Sequence, residues 1–361
     1  MGSAIILLPV ALAHWLAGFA VLDGLLFRRA TSAAPAVGKG TASATRLSLI
    51  IPARNEEQSL PRLLGSLATQ SIKPVEIIVV DDQSTDGTAA VAQQFGATVL
   101  SSQPLPDGWR GKTWACWQAA QVASGDLFLF VDADTWFEPD GLHKLLALHA
   151  GGALSVGPYH VMEKPYEQLS AFFNLLMAAG MGAFTLWSGE PRGLFGQVLL
   201  VGREDYQKVR GHEAVKGRIL ENFYLAEQFR EKGVRLRCTV GKGVCAFRMY
   251  PNGLRELIDG WTKGFASGAA RTPLVLLLLL LVWMGGMVVT LFLLTYGWPG
   301  ILMYLLYAAQ LHLLLRQVGA FRWYTALFFP VTLVFYFLVF TWSVLRSGKT
   351  VSWKGREIHA H

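Results

Sequence analysis

Asp132-Ala133-Asp134 sets two carboxylates one residue apart at the end of an apolar run, Leu127-Phe128-Leu129-Phe130-Val131. Such a run reads as a buried parallel strand, and charges at its C-terminal end cannot both turn into a core. In α/β sheets that end opens on the ligand crevice. Paired carboxylates there suit Mg²⁺ or Mn²⁺ carrying a diphosphate, since both ions take oxygen donors and share coordination with phosphate. A lone Asp-x-Asp is commonly a solvated turn, so its surroundings decide its meaning.

Three further signals surround it. Pro52-Ala53-Arg54-Asn55-Glu56 leaves the strand-like run Leu47–Ile51, Asp81-Asp82-Gln83-Ser84-Thr85-Asp86-Gly87-Thr88 leaves Val75–Val80, and Gly111-Lys112 opens a helical stretch. Singly, each is a turn or helix cap; Asp86 before Gly87-Thr88 is well suited to capping. Jointly they give a concave edge with carboxylates for base and ribose contacts, a lysine for phosphate and a metal site. The elements that must position these residues alternate. Helical patterns at Glu56–Thr69, Thr88–Phe95 and Lys112–Ser124 separate the strand runs, Ala97–Leu100 among them. That alternation predicts an α/β fold with a doubly wound, mostly parallel sheet.

The rest of the chain points to a membrane. Of 361 residues, 52% are hydrophobic, and mean hydropathy is +0.36. The segments Ala4–Leu22, Pro273–Tyr296 and Trp323–Leu345 are uncharged, each long enough for a hydrocarbon core of about 30 Å. Gly300–Leu315 is shorter and suits the return limb of a hairpin. Arg28-Arg29 comes after the first apolar run, with no basic stretch before it. That order favours a retained anchor over a cleaved signal and puts the C-terminal side of the anchor in the cytoplasm. A net charge of +7 fits a protein lying on anionic lipid. No Lys/Arg block with interleaved aromatics marks a nucleic-acid surface. Cys116, Cys238 and Cys245 form neither a disulfide framework nor a zinc pattern and read as packing residues.

In order and approximate spacing, the four motifs resemble the family 2 glycosyltransferases of GT-A fold, across about residues 46 to 270. The resemblance implies that Pro52 and Glu56 line a nucleotide pocket and that Asp81 and Asp82 contact uracil or ribose. Lys112 then lies near the nucleotide, with Asp132 and Asp134 holding the metal-diphosphate of a UDP-sugar. Pro104–Lys112, Gly211-His212-Glu213-Ala214-Val215, and Met249–Gly253 followed by Gly260-Trp261-Thr262-Lys263 are similar to membrane members acting on carotenoid acids and to hopanoid-associated ones. The processive-synthase signature Q-x-x-R-W is absent. The family's usual Glu-Asp pair, whose Asp is the general base, corresponds here to Glu221-Asn222. Either Glu221 takes over as base, or the acceptor is a carboxylic acid already ionised near neutral pH that Asn222 orients. His212 is another candidate base, and Tyr250, Trp261 and Lys263 are candidate acceptor residues or interface anchors.

The expected organisation is an N-terminal transmembrane anchor over 1–28, a linker over 29–45, a GT-A catalytic domain over 46–250, an interfacial amphipathic helix over 251–271, transmembrane helices over 272–346 and a basic tail over 347–361. Leu169–Trp187, although nearly uncharged, is expected to form a buried or membrane-facing helix pair within the catalytic domain. The resulting function is metal-dependent transfer of a sugar, glucose foremost, from a UDP-sugar to a lipophilic acceptor, with inversion, by a multi-pass plasma-membrane protein whose catalytic domain is cytoplasmic. A polyprenyl-phosphate sugar synthase and a silent nucleotide-binding scaffold are the alternatives. One conflict stands: three later spans would carry the basic tail outside, so one apolar segment should be re-entrant or interfacial.

Overall fold

The computed structural model describes residues 2–26, 46–187, 190–218, 220–262, 271–346, 351–353 and 356–358. The chain divides into two compact units. One comprises 30–159, 190–249 and 350–361; the other comprises 1–29, 160–189 and 250–349. The expected 46–250 domain is therefore interrupted, with 160–189 grouping with the apolar helices. The linker at 29–45 lies outside the described residues, as do 263–270 and most of the tail.

Among the described residues the first unit carries twelve strands: β1 (Leu47–Ala53), β2 (Glu76–Asp81), β3 (Thr98–Ser101), β4 (Leu127–Val131), β5 (Thr135–Phe137), β6 (Ala153–Gly157), β7 (Tyr159–His160), β8 (Val198–Gly202), β9 (Leu236–Val240), β10 (Cys245–Phe247), β11 (Val351–Trp353) and β12 (Arg356–Ile358). A seven-stranded sheet runs β3-β2-β1-β4-β8-β6-β9. β1 pairs in parallel with β2 and β4, β2 with β3, and β6 with β9, while β8 runs antiparallel between β4 and β6. The sheet is mostly parallel, as expected, and β8 is the exception.

Both faces are covered, which is why the strands read as continuous apolar runs rather than alternating ones. Leu49, Ile51, Val79, Leu129 and Val131 share one core with Leu60, Leu63, Leu64 and Leu67 of the helix Leu60–Ala68. Ile50, Val80, Phe128 and Phe130 share the other with Ala115, Cys116 and Ala119 of the helix Gly111–Val122 and with Leu225 and Phe229 of the helix Glu221–Glu231. The first of these helices starts four residues later than the apolar spacing suggests. Pro61, in its first turn, cannot donate a backbone bond and so fits only at a helix start.

Among the described residues of the second unit, three helices are long and apolar enough to cross a membrane: Leu7–Leu26, Leu274–Tyr296 and Trp298–Val318. Phe329–Leu345 is apolar but shorter. Leu169–Trp187 yields only the helix Ala171–Gly180, which at 1.5 Å per residue reaches about 15 Å, half a bilayer core. The long helices are joined by buried polar contacts. Gln310 Nε2 donates to the Trp15 carbonyl at 2.9 Å, and its Oε1 accepts Trp283 Nε1–H at 2.9 Å. Close approach needs Gly18, where a Cβ would fall 2.2 Å from Trp283 Nε1.

The last apolar stretch is tied at both ends. Ala320 N–H donates to the His160 carbonyl at 2.8 Å, and Gln168 Oε1 accepts Arg322 N–H at 3.0 Å and the Thr325 hydroxyl at 2.5 Å. Near the other end Ser343 Oγ donates to the Thr262 carbonyl at 2.7 Å.

Replacing Gln310 with leucine strips the Trp283 indole N–H of its acceptor inside this helix packing. Thermal unfolding in detergent should show Gln310→Leu destabilised by about 1–3 kcal/mol, the cost of an orphaned buried donor.

Candidate functional site

The C-terminal ends of β1, β2 and β4 form the crevice edge, and the loops leaving β1 and β2 are joined to each other. Asn55 and Gln83 adopt left-handed backbone conformations, at φ 53° and 57°, uncommon outside glycine and tolerated best by short polar residues. Asn55 Oδ1 accepts Thr85 N–H at 2.8 Å, and Asn55 N–H donates to Ser84 Oγ at 3.0 Å. Glu56 N–H donates to Thr88 Oγ1 at 2.8 Å, and Arg54 Nη1 to the Asp82 carbonyl at 2.6 Å. Asp81 Oδ1 accepts Ser84 N–H at 3.1 Å, and Asp82 is buried. Asp86 accepts Thr88 N–H at 3.1 Å, the capping role its position suggests. Pro52, Glu56, Asp81 and Asp82 thus belong to one rim.

At the centre, Lys112 Nζ lies 2.6 Å from Asp132 Oδ1 and donates to the Gly196 carbonyl at 3.0 Å. The β4–β8 ladder continues past the strand end, Asp132 N–H donating to the Gln197 carbonyl at 2.9 Å. A pocket here is lined by Pro52, Lys112, Asp132, Gly196, His212 and Asn222, among others. Gly196 is required, because a Cβ there would fall 2.1 Å from Asn222 Nδ2. Gln197 Oε1 is buried with no hydrogen-bond partner among the described residues, an acceptor a ligand donor would satisfy. Gly196 and Gln197 are functional candidates that sequence reasoning misses. Their signal, a glycine and a glutamine before an apolar run, becomes legible only once β8 is known to run beside β4.

The charges are mutually dependent. Burial works against the Lys112 ammonium, but Asp132 and Glu221 more than compensate and hold its pKa above the usual lysine range. Burial holds the Glu221 carboxyl above the usual carboxylate range; Lys112 opposes this, and Asp132 adds to it. Burial pushes the Cys116 thiol up to about 12, consistent with an inert packing residue. Burial, with Lys112 nearby, lowers the His212 imidazole to about 3, a direction that disfavours a base there.

Of the expected acceptor residues, Tyr250 and Trp261 lie in the helical unit, 8% and 5% exposed. The Trp261 indole stacks on Phe173 at 4.8 Å and donates to Ser170 Oγ at 3.1 Å. This burial gives both a packing role in the helical unit. Lys263 lies outside the described residues. Beside Lys112, Trp109, Trp114 and Trp117 form a half-exposed cluster with ring centroids 4.9–5.5 Å apart.

Asp134 is half-buried just past β4, two residues from Asp132. No group of three His, Cys, Asp or Glu side chains converges among the described residues. Asp132 and Asp134 offer two carboxylates, a pair that would suit a hard cation completed by phosphate oxygens and water and falls short of a zinc set.

A sequence model described as Glycosyl transferase family 2 matches residues 48–172. The chain is 35% identical over 329 residues to a 4,4'-diaponeurosporenoate glycosyltransferase of Staphylococcus aureus (strain USA300), covering 86% of this chain and 88% of that protein. It is 40% identical over 251 residues to one of the same name from Staphylococcus haemolyticus, covering 66% of each. Among solved structures, a mannosyltransferase from Pyrobaculum calidifontis in complex with GDP-Man and Mn²⁺ aligns at TM-score 0.52 and 18% identity, over 93% of this chain and 99% of that one. This last likeness concerns the fold.

Lys112→Met removes the charge that restrains Glu221, so the folded-state pKa of Glu221 should rise further. A carboxyl whose folded pKa exceeds its unfolded value of about 4.3 contributes stability present at low pH and lost as pH rises through the folded value. Thermal unfolding of Lys112→Met should therefore lose more stability than the unaltered protein between about pH 4 and pH 7. Glu221→Gln in the same background should remove the difference.

Proposed function

Since this chain belongs to the family 2 glycosyltransferases, we propose that it transfers glucose from UDP-glucose to the carboxylate of a lipophilic isoprenoid acid of the carotenoid class. The observation that carries the reading is the convergence of Lys112, Asp132 and Asn222 on one pocket at the C-terminal edge of a parallel sheet. The acceptor class is supported by relatives of 35–40% identity named for diaponeurosporenoate and by helices apolar enough to cross a membrane.

In this reading Pro52, Glu56, Asp81 and Asp82 bind the nucleoside, and Asp132 and Asp134 hold a divalent metal. That metal, Mg²⁺ or Mn²⁺, would neutralise charge on the departing diphosphate. Lys112 supplies a fixed positive charge beside it. The acceptor carboxylate attacks the anomeric carbon from the face opposite UDP. As that bond forms, the bond from the anomeric carbon to the phosphate oxygen breaks, and its electron pair leaves on UDP. The anomeric centre inverts and no proton is transferred. A neutral amide at position 222 suits this chemistry: Asn222 Nδ2 donates to the attacking carboxylate, where an aspartate would repel it. Glu221 is then a charge partner of Lys112 rather than the base.

We place the sheet unit in the cytoplasm at the plasma membrane, because Arg28-Arg29 follows the first span. We read the helix Phe329–Arg346 as the re-entrant or interfacial segment. Its approach is bonded to His160 and Gln168 and its far end to Thr262, all on segments that directly continue the sheet unit's chain. On this reading the basic tail would stay on the cytoplasmic side, in keeping with the positive-inside rule.

Detergent-purified protein given UDP-glucose and Mg²⁺ should release UDP only when a carotenoid acid is added. Asp134→Ala or chelation should cut that rate by about 10²–10³, as expected for losing an electrostatic stabiliser of the transition state. Release that is indifferent to the acid would refute the acceptor assignment.

The role of Glu221 is separable by pH. With a carboxylic acid acceptor, Glu221→Gln should stay within about tenfold of the unaltered rate, a loss below 1.4 kcal/mol, and keep the same acid limb, which belongs to the acceptor. Were Glu221 the base, that limb would sit above the ordinary carboxylate range, because burial raises its pKa, and would vanish in Glu221→Gln.

A further inference from the structure

We propose that His212 reads the sugar of the donor, presenting a neutral Nε2–H to a hydroxyl of the hexose. The inference rests on the donor assignment above and assigns a polar pocket residue that the mechanism leaves idle.

His212 sits in the short 3₁₀ turn Gly211–Val215. Gly211, at φ +47°, lies flat against the Tyr206 ring, where a Cβ would fall 2.1 Å from Cζ. This lets the Tyr206 hydroxyl meet the next residue twice. It accepts His212 backbone N–H at 3.2 Å and lies 2.9 Å from His212 Nδ1. The amide can only donate, so the hydroxyl's own proton needs another acceptor. Among the described residues, Nδ1 is the only acceptor within its reach. The hydroxyl therefore donates to Nδ1, and the ring's single proton resides on Nε2.

Nε2 is on the opposite edge of the ring. His212 is only 5% exposed, yet it lines the pocket with Lys112, Gly196 and Asn222. Nε2 has no hydrogen-bond partner among the described residues, nor is it one of the fully enclosed, unsatisfied atoms. Its free side is thus toward the pocket. Phe130, with its ring centroid 4.9 Å away and nearly edge-on, fixes the plane of the imidazole.

The chemistry of this donor selects its partner. An uncharged N–H beside the Lys112 ammonium leaves the diphosphate to the lysine and carboxylates, and matches a neutral acceptor oxygen. The donor hexose is the part of the substrate that is neutral and rich in hydroxyls. A site built around a hydroxyl discriminates strongly against an analogue lacking it, because its own polar group is then left unpaired.

The test is titration calorimetry of the full-length protein in detergent with Mg²⁺, comparing UDP with UDP-glucose. His212→Asn should weaken UDP-glucose at least about tenfold, equivalent to 1.4 kcal/mol, while UDP binding changes by less than about twofold. His212→Gln, whose amide nitrogen reaches about as far as Nε2, should recover most of the loss. A series of monodeoxyglucose donors should contain one that the unaltered protein binds as weakly as His212→Asn binds UDP-glucose, with no further loss in that variant. Equal losses for UDP and UDP-glucose, no loss for either, or failure of His212→Gln to recover binding while its unfolding midpoint is normal would each overturn the proposal. If the unaltered protein binds neither UDP nor UDP-glucose, the donor assignment itself fails, and this inference with it.

Discussion

The site depends on one ammonium group. Lys112 joins three parts of the chain that are far apart in sequence: the helix after β3, the end of β4 through Asp132, and the turn into β8 through the Gly196 carbonyl. A charge partly withdrawn from water must be paired and hydrogen-bonded, or it destabilises what surrounds it. Here both conditions hold at once, and the pairing bridges the end of β4 and the β8 turn on which Asn222 packs. Glu221 feels the same charge from its helix start, so the geometry and the protonation of the site are linked through one residue.

The parallel half of the fold is readable because its strands are buried on both faces and its loops carry polar residues at the crevice edge. Asp132, Asp81 and Lys112 stand where an α/β sheet places ligand contacts. The antiparallel β8 is not readable. Val198–Val201 is a short apolar run like many others, and nothing local shows that it inserts between β4 and β6. Gly196 and Gln197 are hidden for the same reason. Tyr250 and Trp261 mislead for the opposite one. Aromatic residues before a membrane span suggest an interface, but here Ser170 and Phe173 enclose Trp261, a contact separated by about ninety residues that no local pattern conveys. The amphipathic face of Leu254–Thr262 is legible as a face; only the structure shows what it covers.

The helical unit shows how polar residues can be afforded among apolar ones. Gln310 gives both ends of its amide to Trp15 and Trp283, and Gln168 gives its carbonyl oxygen to the Arg322 amide and the Thr325 hydroxyl. In a hydrophobic setting these contacts specify register more than they add stability. Apolar packing alone leaves helices free to slide, whereas a glutamine with two fixed partners allows one arrangement. Helices this apolar have few other directional contacts to set their register.

The three tryptophans packed beside Lys112 carry a consequence of a spectroscopic kind. Indole rings with centroids 4.9–5.5 Å apart couple their strong electronic transitions, so Trp109, Trp114 and Trp117 are expected to give an exciton couplet in far-ultraviolet circular dichroism. Trp114 and Trp117 ride on the helix that bears Lys112, and Trp109 lies just before its first turn. A movement of that helix relative to Trp109 alters the angle between Trp109 and the other two rings, which gives the protein an internal optical gauge of the geometry around Lys112 with no label attached.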